Sequence, residues 1–89
     1  MKPMKITEIQ IIPIKADSGL VAFASFVLDG NVYLGSIGIH TKLDGNGFRL
    51  TYPTKKVANK DFNIFHPINR QASQEIEEAI ILRLKEIMR

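Results

Sequence analysis

The hydrophobic period of this chain changes near position 66, and that change constrains every fold open to it. Upstream, apolar side chains come in short runs separated by Gly, Asp and Asn. Downstream, over residues 70–88, they recur every three or four positions. The junction is His66-Pro67-Ile68-Asn69. Pro67 fixes its own φ and biases His66 towards an extended conformation. Asn69 offers a side-chain oxygen that caps free amide groups at a helix start. A β-rich body followed by one helix is the result, an α+β chain.

The body divides into four runs. Residues 5–14 predict a strand dense in Ile and closed by Pro13, with Ile9 and Ile11 on one face and Ile6, Ile12 and Ile14 on the other. Such imperfect alternation signals burial on both faces or a bulge. Asp17-Ser18-Gly19 is a turn. Residues 20–28 predict a central strand, apolar on both faces. Asp29-Gly30-Asn31 then marks a hairpin. The third strand, 32–40, places Tyr33, Ile37 and Ile39 together and is interrupted by Gly35 and Gly38, a sign of a bulge or a close approach. A turn-rich loop over 42–47 precedes the fourth strand, 48–52, with Phe48, Leu50 and Tyr52 inward and Arg49 and Thr51 outward. Residues 54–60 read as a polar, basic surface loop, and Phe62, Ile64 and Ile68 as anchors for a short extended return.

The helix presents Ile76, Ala79, Ile80, Leu84 and Ile87 as one stripe, flanked by Ile81 and Met88. Glu75, Glu77 and Glu78 stand near its start, and Arg83, Lys85 and Arg89 near its end, which complements the helix dipole. Such a helix covers one face of a four- to five-stranded antiparallel meander. One helix is too little for strands apolar on both sides, so a homodimer burying further sheet surface is expected.

Length and composition narrow the function classes. Eighty-nine residues make one domain, 1–89, that buries only about 60–65% of its unfolded surface. The chain has no cysteine, which removes disulfides, thiolate metal sites and cysteine nucleophiles. The longest apolar run has strand length, not membrane length. Met1-Lys2-Pro3-Met4-Lys5 is basic but no signal-peptide core follows it. A cytoplasmic protein with no membrane association is the expectation.

Chemistry is sparse. His40 and His66 are the two histidines, the residue type suited to proton transfer near neutral pH, and neither has a second ligand at metal-binding spacing. No nucleophile-elbow serine occurs. Asp44-Gly45-Asn46-Gly47 lacks the distal glutamate of a calcium loop and precedes a strand, so it is a turn rather than a phosphate cradle. Asp61 and His66 are more simply structural than catalytic, and His66 is expected to hydrogen-bond so as to hold the junction. No enzyme activity, cofactor, metal or small-molecule substrate is expected.

Charge is the stronger signal. The net charge is +3, yet residues 42–70 hold six cations (Lys42, Arg49, Lys55, Lys56, Lys60, Arg70) against Asp44 and Asp61, an excess of four. Clustering of this kind is the electrostatic footprint of a polyanion partner, and equally that of a solvated loop. Within it, Pro53-Thr54-Lys55-Lys56-Val57 is the best site candidate. Lys55, Lys56, Lys60, Arg49 and Arg70 are the residues placed to contact phosphates, with Tyr52 or Phe62 able to stack on a base. Two classes remain open: a nucleic-acid-binding regulator, or a protein-interaction module whose basic loop only aids solubility.

These residues resemble the stage V sporulation protein G (SpoVG) family of small bacterial proteins over residues 5–88. The marks are Ile6-Thr7-Glu8-Ile9, the run from Ala22 to Leu28 leading to Asp29, and Pro53-Thr54-Lys55-Lys56 where the family has Pro-Ser-Lys-Arg. His66-Pro67-Ile68-Asn69 and the Ile76 to Leu84 helix complete the set. The resemblance implies a homodimeric sheet-plus-helix fold. It also implies a regulator linked to septation or sporulation that binds DNA or RNA, with Lys55 and Lys56 in contact. The chain departs from the family at Ser36 and Gly38, where Asp and Arg are usual. It departs again at Ser73, where Arg is usual, and at Asn63-Ile64-Phe65, where an Asp-Ile-Ala type of run is common.

Overall fold

The structure is a computed structural model that describes residues 4–88. Lys2 in the basic N-terminal run and Arg89 at the helix end therefore lie outside the described residues. The elements are β1 (Ile6–Asp17), β2 (Leu20–Leu28), β3 (Val32–Thr41), β4 (Phe48–Thr51), β5 (Thr54–Val57), β6 (Lys60–Asn63) and α1 (Arg70–Ile87). The first four form an antiparallel sheet in the order β1-β2-β3-β4, and β5 and β6 form a second, two-stranded sheet. The expected α+β meander with one C-terminal helix is what the chain forms. The surface loop expected over 54–60 is instead most of a hairpin.

Each turn follows from residues that accept positive φ. Ser18 and Gly19 join β1 to β2 at φ 52° and 93°. Asp29 and Gly30 join β2 to β3 at 53° and 69°, the type I′ pattern whose twist matches a hairpin. In the 42–47 loop the Asp44 carboxylate accepts from the Asn46 amide at 2.9 Å, an Asx turn. β1 runs through Pro13 rather than stopping there. It is an edge strand, where a residue without an N–H is tolerated.

Two bulges decide which side chains enter the core. Glu8 (φ 51°) interrupts β1, so the pairing slips between Thr7 and Gln10. Ile6 then shares the inner face with Ile9 and Ile11, while Ile12 turns outward. Ser36 (φ 61°) does the same in β3. Leu34 pairs with buried Phe26, and Ile37 and Ile39 are fully buried, but Tyr33 pairs with Val27 on the opposite face. The expected grouping of Tyr33 with Ile37 and Ile39 is thus incorrect, because an inserted residue reverses the alternation.

α1 covers the inner face through Ile76, Ile80 and Leu84, packed on Ala22, Ala24, Phe26, Ile37 and Ile39. Alanines beneath the helix let it approach closely, with Phe48, Leu50, Tyr52 and Phe65 sealing the margin. Asn69 caps the helix as expected: its side-chain oxygen accepts from the Ala72 amide at 2.7 Å. The glutamates miss the first turn, which contains no acidic residue; among the described residues Lys85 supports the dipole in the last turn. Ile68 is 86% exposed, and Phe62 and Ile64 are exposed as well, so none of the three expected anchors is buried. No described helix is long and apolar enough to cross a membrane.

Candidate nucleic-acid interface

β5 and β6 pair Thr54 with Asn63, Lys55 with Phe62, Lys56 with Asp61 and Val57 with Lys60. All eight strand residues are exposed. The hairpin is an arm, held at its base where the Ile64 amide donates to the Pro53 carbonyl at 3.0 Å. A radius of gyration of 13.5 Å, against about 12 Å for a compact chain of this length, fits a shape with such a projection. Its turn is Ala58-Asn59, both at positive φ (50° and 68°).

Alternation gives the arm two unlike faces. One carries Thr54, Lys56, Asp61 and Asn63, so Lys56 stands opposite a carboxylate. Opposite charges across a hairpin stabilise it by roughly 0.2–1 kcal/mol and lower the charge available to a ligand. The other face carries Lys55, Val57, Lys60 and Phe62 and has no carboxylate. Two ammonium groups there flank an aromatic ring that is 53% exposed. That is the pairing of cation and π-surface that a nucleic-acid strand recognises.

The structure brings three of the five candidate site residues together. Lys55, Lys56 and Lys60 share the arm. Arg49 is on β4, exposed, outward-facing and paired with His40. Arg70 opens α1 and is exposed.

Tyr52 and Phe62 have separated roles. Tyr52 packs edge-on against Phe65, with centroids 6.0 Å apart and planes at 75°. Burial, then the nearby Glu77 charge, pushes its phenol up to about 12. Tyr52 is a core residue; Phe62 is the ring offered to solvent. His66 donates from Nδ1 to the Pro67 carbonyl at 3.0 Å, so it holds the junction. Among the described residues no cluster of His, Asp and Glu suits a metal ion.

Sequence reasoning missed the hairpin and, through the Ser36 bulge, the outward position of Tyr33. For the hairpin the available signals were the β-formers Thr54, Val57 and Phe62 around Asn59, which tolerates positive φ.

A four-stranded meander backed by one helix, with a basic hairpin arm before that helix, defines a small helix-backed sheet protein of the α+β class. The SpoVG family model matches residues 4–86. A protein of Macrococcus caseolyticus named "Putative septation protein SpoVG" is 34% identical over 80 residues, covering 88% of this chain and 67% of its own. Proteins of the same name from Finegoldia magna and Staphylococcus aureus are 33% and 30% identical, covering 93% and 94% of this chain and 76% and 83% of theirs. The chain belongs to the SpoVG family.

Proposed function

We propose that this chain is a cytoplasmic regulator of the SpoVG type that binds DNA or RNA as a homodimer and acts in septation or sporulation control. The observation that carries the reading is the arm: an exposed hairpin with three lysines, one face cationic and free of carboxylates. The septation names of the relatives support the process. Binding here is positioning by phosphate contact, and the reading has no catalytic step, cofactor or small-molecule substrate.

Replacing Lys55 and Lys60 together with alanine tests it. Each lost phosphate contact lowers the slope of log affinity against log salt by about 0.9 on duplex DNA, so the pair removes roughly 2 per engaged subunit. Lys56→Ala has a smaller effect, because Asp61 stands across from it. An unchanged slope removes the arm from the interface. A second reading, a protein-interaction module, is favoured by exposed Ile64 and Ile68 beside the arm. Undetectable binding of mixed DNA and RNA at micromolar protein and about 0.1 M salt would select it.

A further inference from the structure

α1 covers only the inner face of the four-stranded sheet, and the outer face is built in an unusual way. Two glycines of β3 each lie beneath a ring two positions away on the same strand. A Cβ at Gly35 would lie 3.1 Å from Cε2 and from the hydroxyl of Tyr33. A Cβ at Gly38 would lie 3.2 Å from Nε2 of His40. The missing side chains therefore let the two rings fold down over the strand instead of standing off it. Tyr33 nonetheless remains 69% exposed, so its ring is held against the sheet and still open to solvent.

Between Tyr33 and Phe23 lies an open depression of about 310 Å³. Phe23 is 38% exposed. The polar residues of the depression are Gln10, Ser25 and Ser36, and no carboxylate lines it. Arg49, exposed, pairs with His40 on the same outer face, and β4 leads through Tyr52 and Pro53 into the lysine arm. Aromatic faces and neutral hydrogen-bonding groups are what an unpaired base requires; no cation lines the depression itself, so its phosphate would be met by Arg49 and the arm. A base inside a duplex is already stacked and cannot lie on a protein ring.

We infer that the outer sheet face is a stacking platform for single-stranded nucleic acid, with bases on Tyr33 and Phe23 and the backbone held by Arg49 and the arm. The inference rests on the nucleic-acid reading above and names its substrate: unpaired strands, bound by π-surface as well as by charge.

The test is fluorescence anisotropy of the whole chain with labelled mixed-sequence single strands, DNA and RNA, and with the matching duplex at one salt concentration. Wild type binds single strands about tenfold or more tighter than duplex. Tyr33→Leu loses about fivefold or more on single strands, the loss expected for one stacked base, with an unchanged salt slope. Duplex affinity changes by less than about twofold. Gly35→Ala keeps the ring but displaces it, and weakens single-strand binding in the same direction. Circular dichroism confirms that both variants fold. Lys55→Ala with Lys60→Ala lowers affinity for both forms and reduces the slope.

If Tyr33→Leu and Gly35→Ala leave single-strand affinity unchanged while the lysine variant weakens it, the platform is wrong and the nucleic-acid reading stands. If wild type binds no nucleic acid, both are wrong. Sedimentation supplies the remaining outcome: conversion of a dimer to monomer by Tyr33→Leu, with affinity intact, assigns the face to self-association and overturns the platform.

Discussion

Gly38→Ala should destabilise the protein through one contact whose size follows from the geometry. A Cβ at that position would stand 2.6 Å from Thr51 Oγ1, where an ordinary contact begins at 3.4 Å, so about 0.8 Å of movement is required. Thr51 pairs with Gly38 across β3 and β4 and is hydrogen-bonded to His40 Nε2 at 3.0 Å. Being β-branched, it has few rotamers into which it can retreat. Overpacking of this kind costs about 1–3 kcal/mol, offset by about 0.5–1 kcal/mol from removing a glycine from a strand. The net loss is therefore roughly 0.5–2 kcal/mol. Thr51→Ala alone loses the His40 hydrogen bond, about 1 kcal/mol. The double variant relieves the clash and keeps the strand gain, so it should be at least as stable as Thr51→Ala. The coupling energy is then on the order of −1 to −3 kcal/mol. Urea denaturation of the four proteins, followed by circular dichroism, measures it. Gly38→Ala as stable as wild type, or additive effects, would show that glycine is not needed to seat the His40–Thr51 pair.

Tyr52 gives a pH signature. Its phenol is raised from 10.0 to about 12, so the stabilisation is fully present below pH 10 and is lost as pH rises through about 12. Tyr52→Phe should flatten that part of the stability profile, and a decline identical in both proteins refutes the assignment. Asn69→Ala removes the oxygen that accepts from Ala72 and should cost about 1 kcal/mol, a fall in Tm of about 4–8 °C. Asn69→Asp should restore it, because a carboxylate both caps and suits a helix N-terminus. Equal Tm values for Asn69→Ala and wild type would mean that Pro67 alone sets the helix start.

Legibility tracked how many neighbouring residues repeat the same signal. The helix carries a stripe that repeats from Ile76 to Leu84 and a cap, and β4 alternates without a break, so both were readable. β3 has the opposite character. Its faces reverse at Ser36, an exposed serine at positive φ, and nothing in its identity announces an inserted residue. In β1 the irregular spacing of isoleucines did reveal that a bulge was one of two solutions, and Glu8 proved to be its place. The arm was hidden because four-residue strands are too short to show a period and its turn opens with an alanine at φ 50°. Left-handed alanine costs roughly 1–2 kcal/mol, so only the surrounding pairs hold it. For the site, the lysines were visible by position. Their inequality was not, since it depends on a register that sets Lys56 against Asp61 and leaves Lys55 and Lys60 beside Phe62.

The distribution of rings follows from the same constraint. In a chain with thin stability, large side chains would be expected to go inward first. Here Phe26 is fully buried beneath the helix and Tyr52 packs edge-on against Phe65 at its margin, while Tyr33, Phe23 and Phe62 are exposed. Filling the core beneath α1 with Ile, Leu and Ala keeps the helix close to the sheet, and two of the three exposed rings stand on the face it leaves open. Holding Tyr33 there needs the Ser36 bulge, which turns it outward, and Gly35, which seats it. Each feature is unfavourable in an ordinary strand: a left-handed serine is strained, and an interior glycine loses packing and gains entropy cost. The bulge also brings Leu34 onto the inner face beside Phe26, whereas Gly35 adds no side chain to the core. What the two costs share is one ring seated on the open face, and Tyr33→Leu and Gly35→Ala separate a base from a second copy as its occupant.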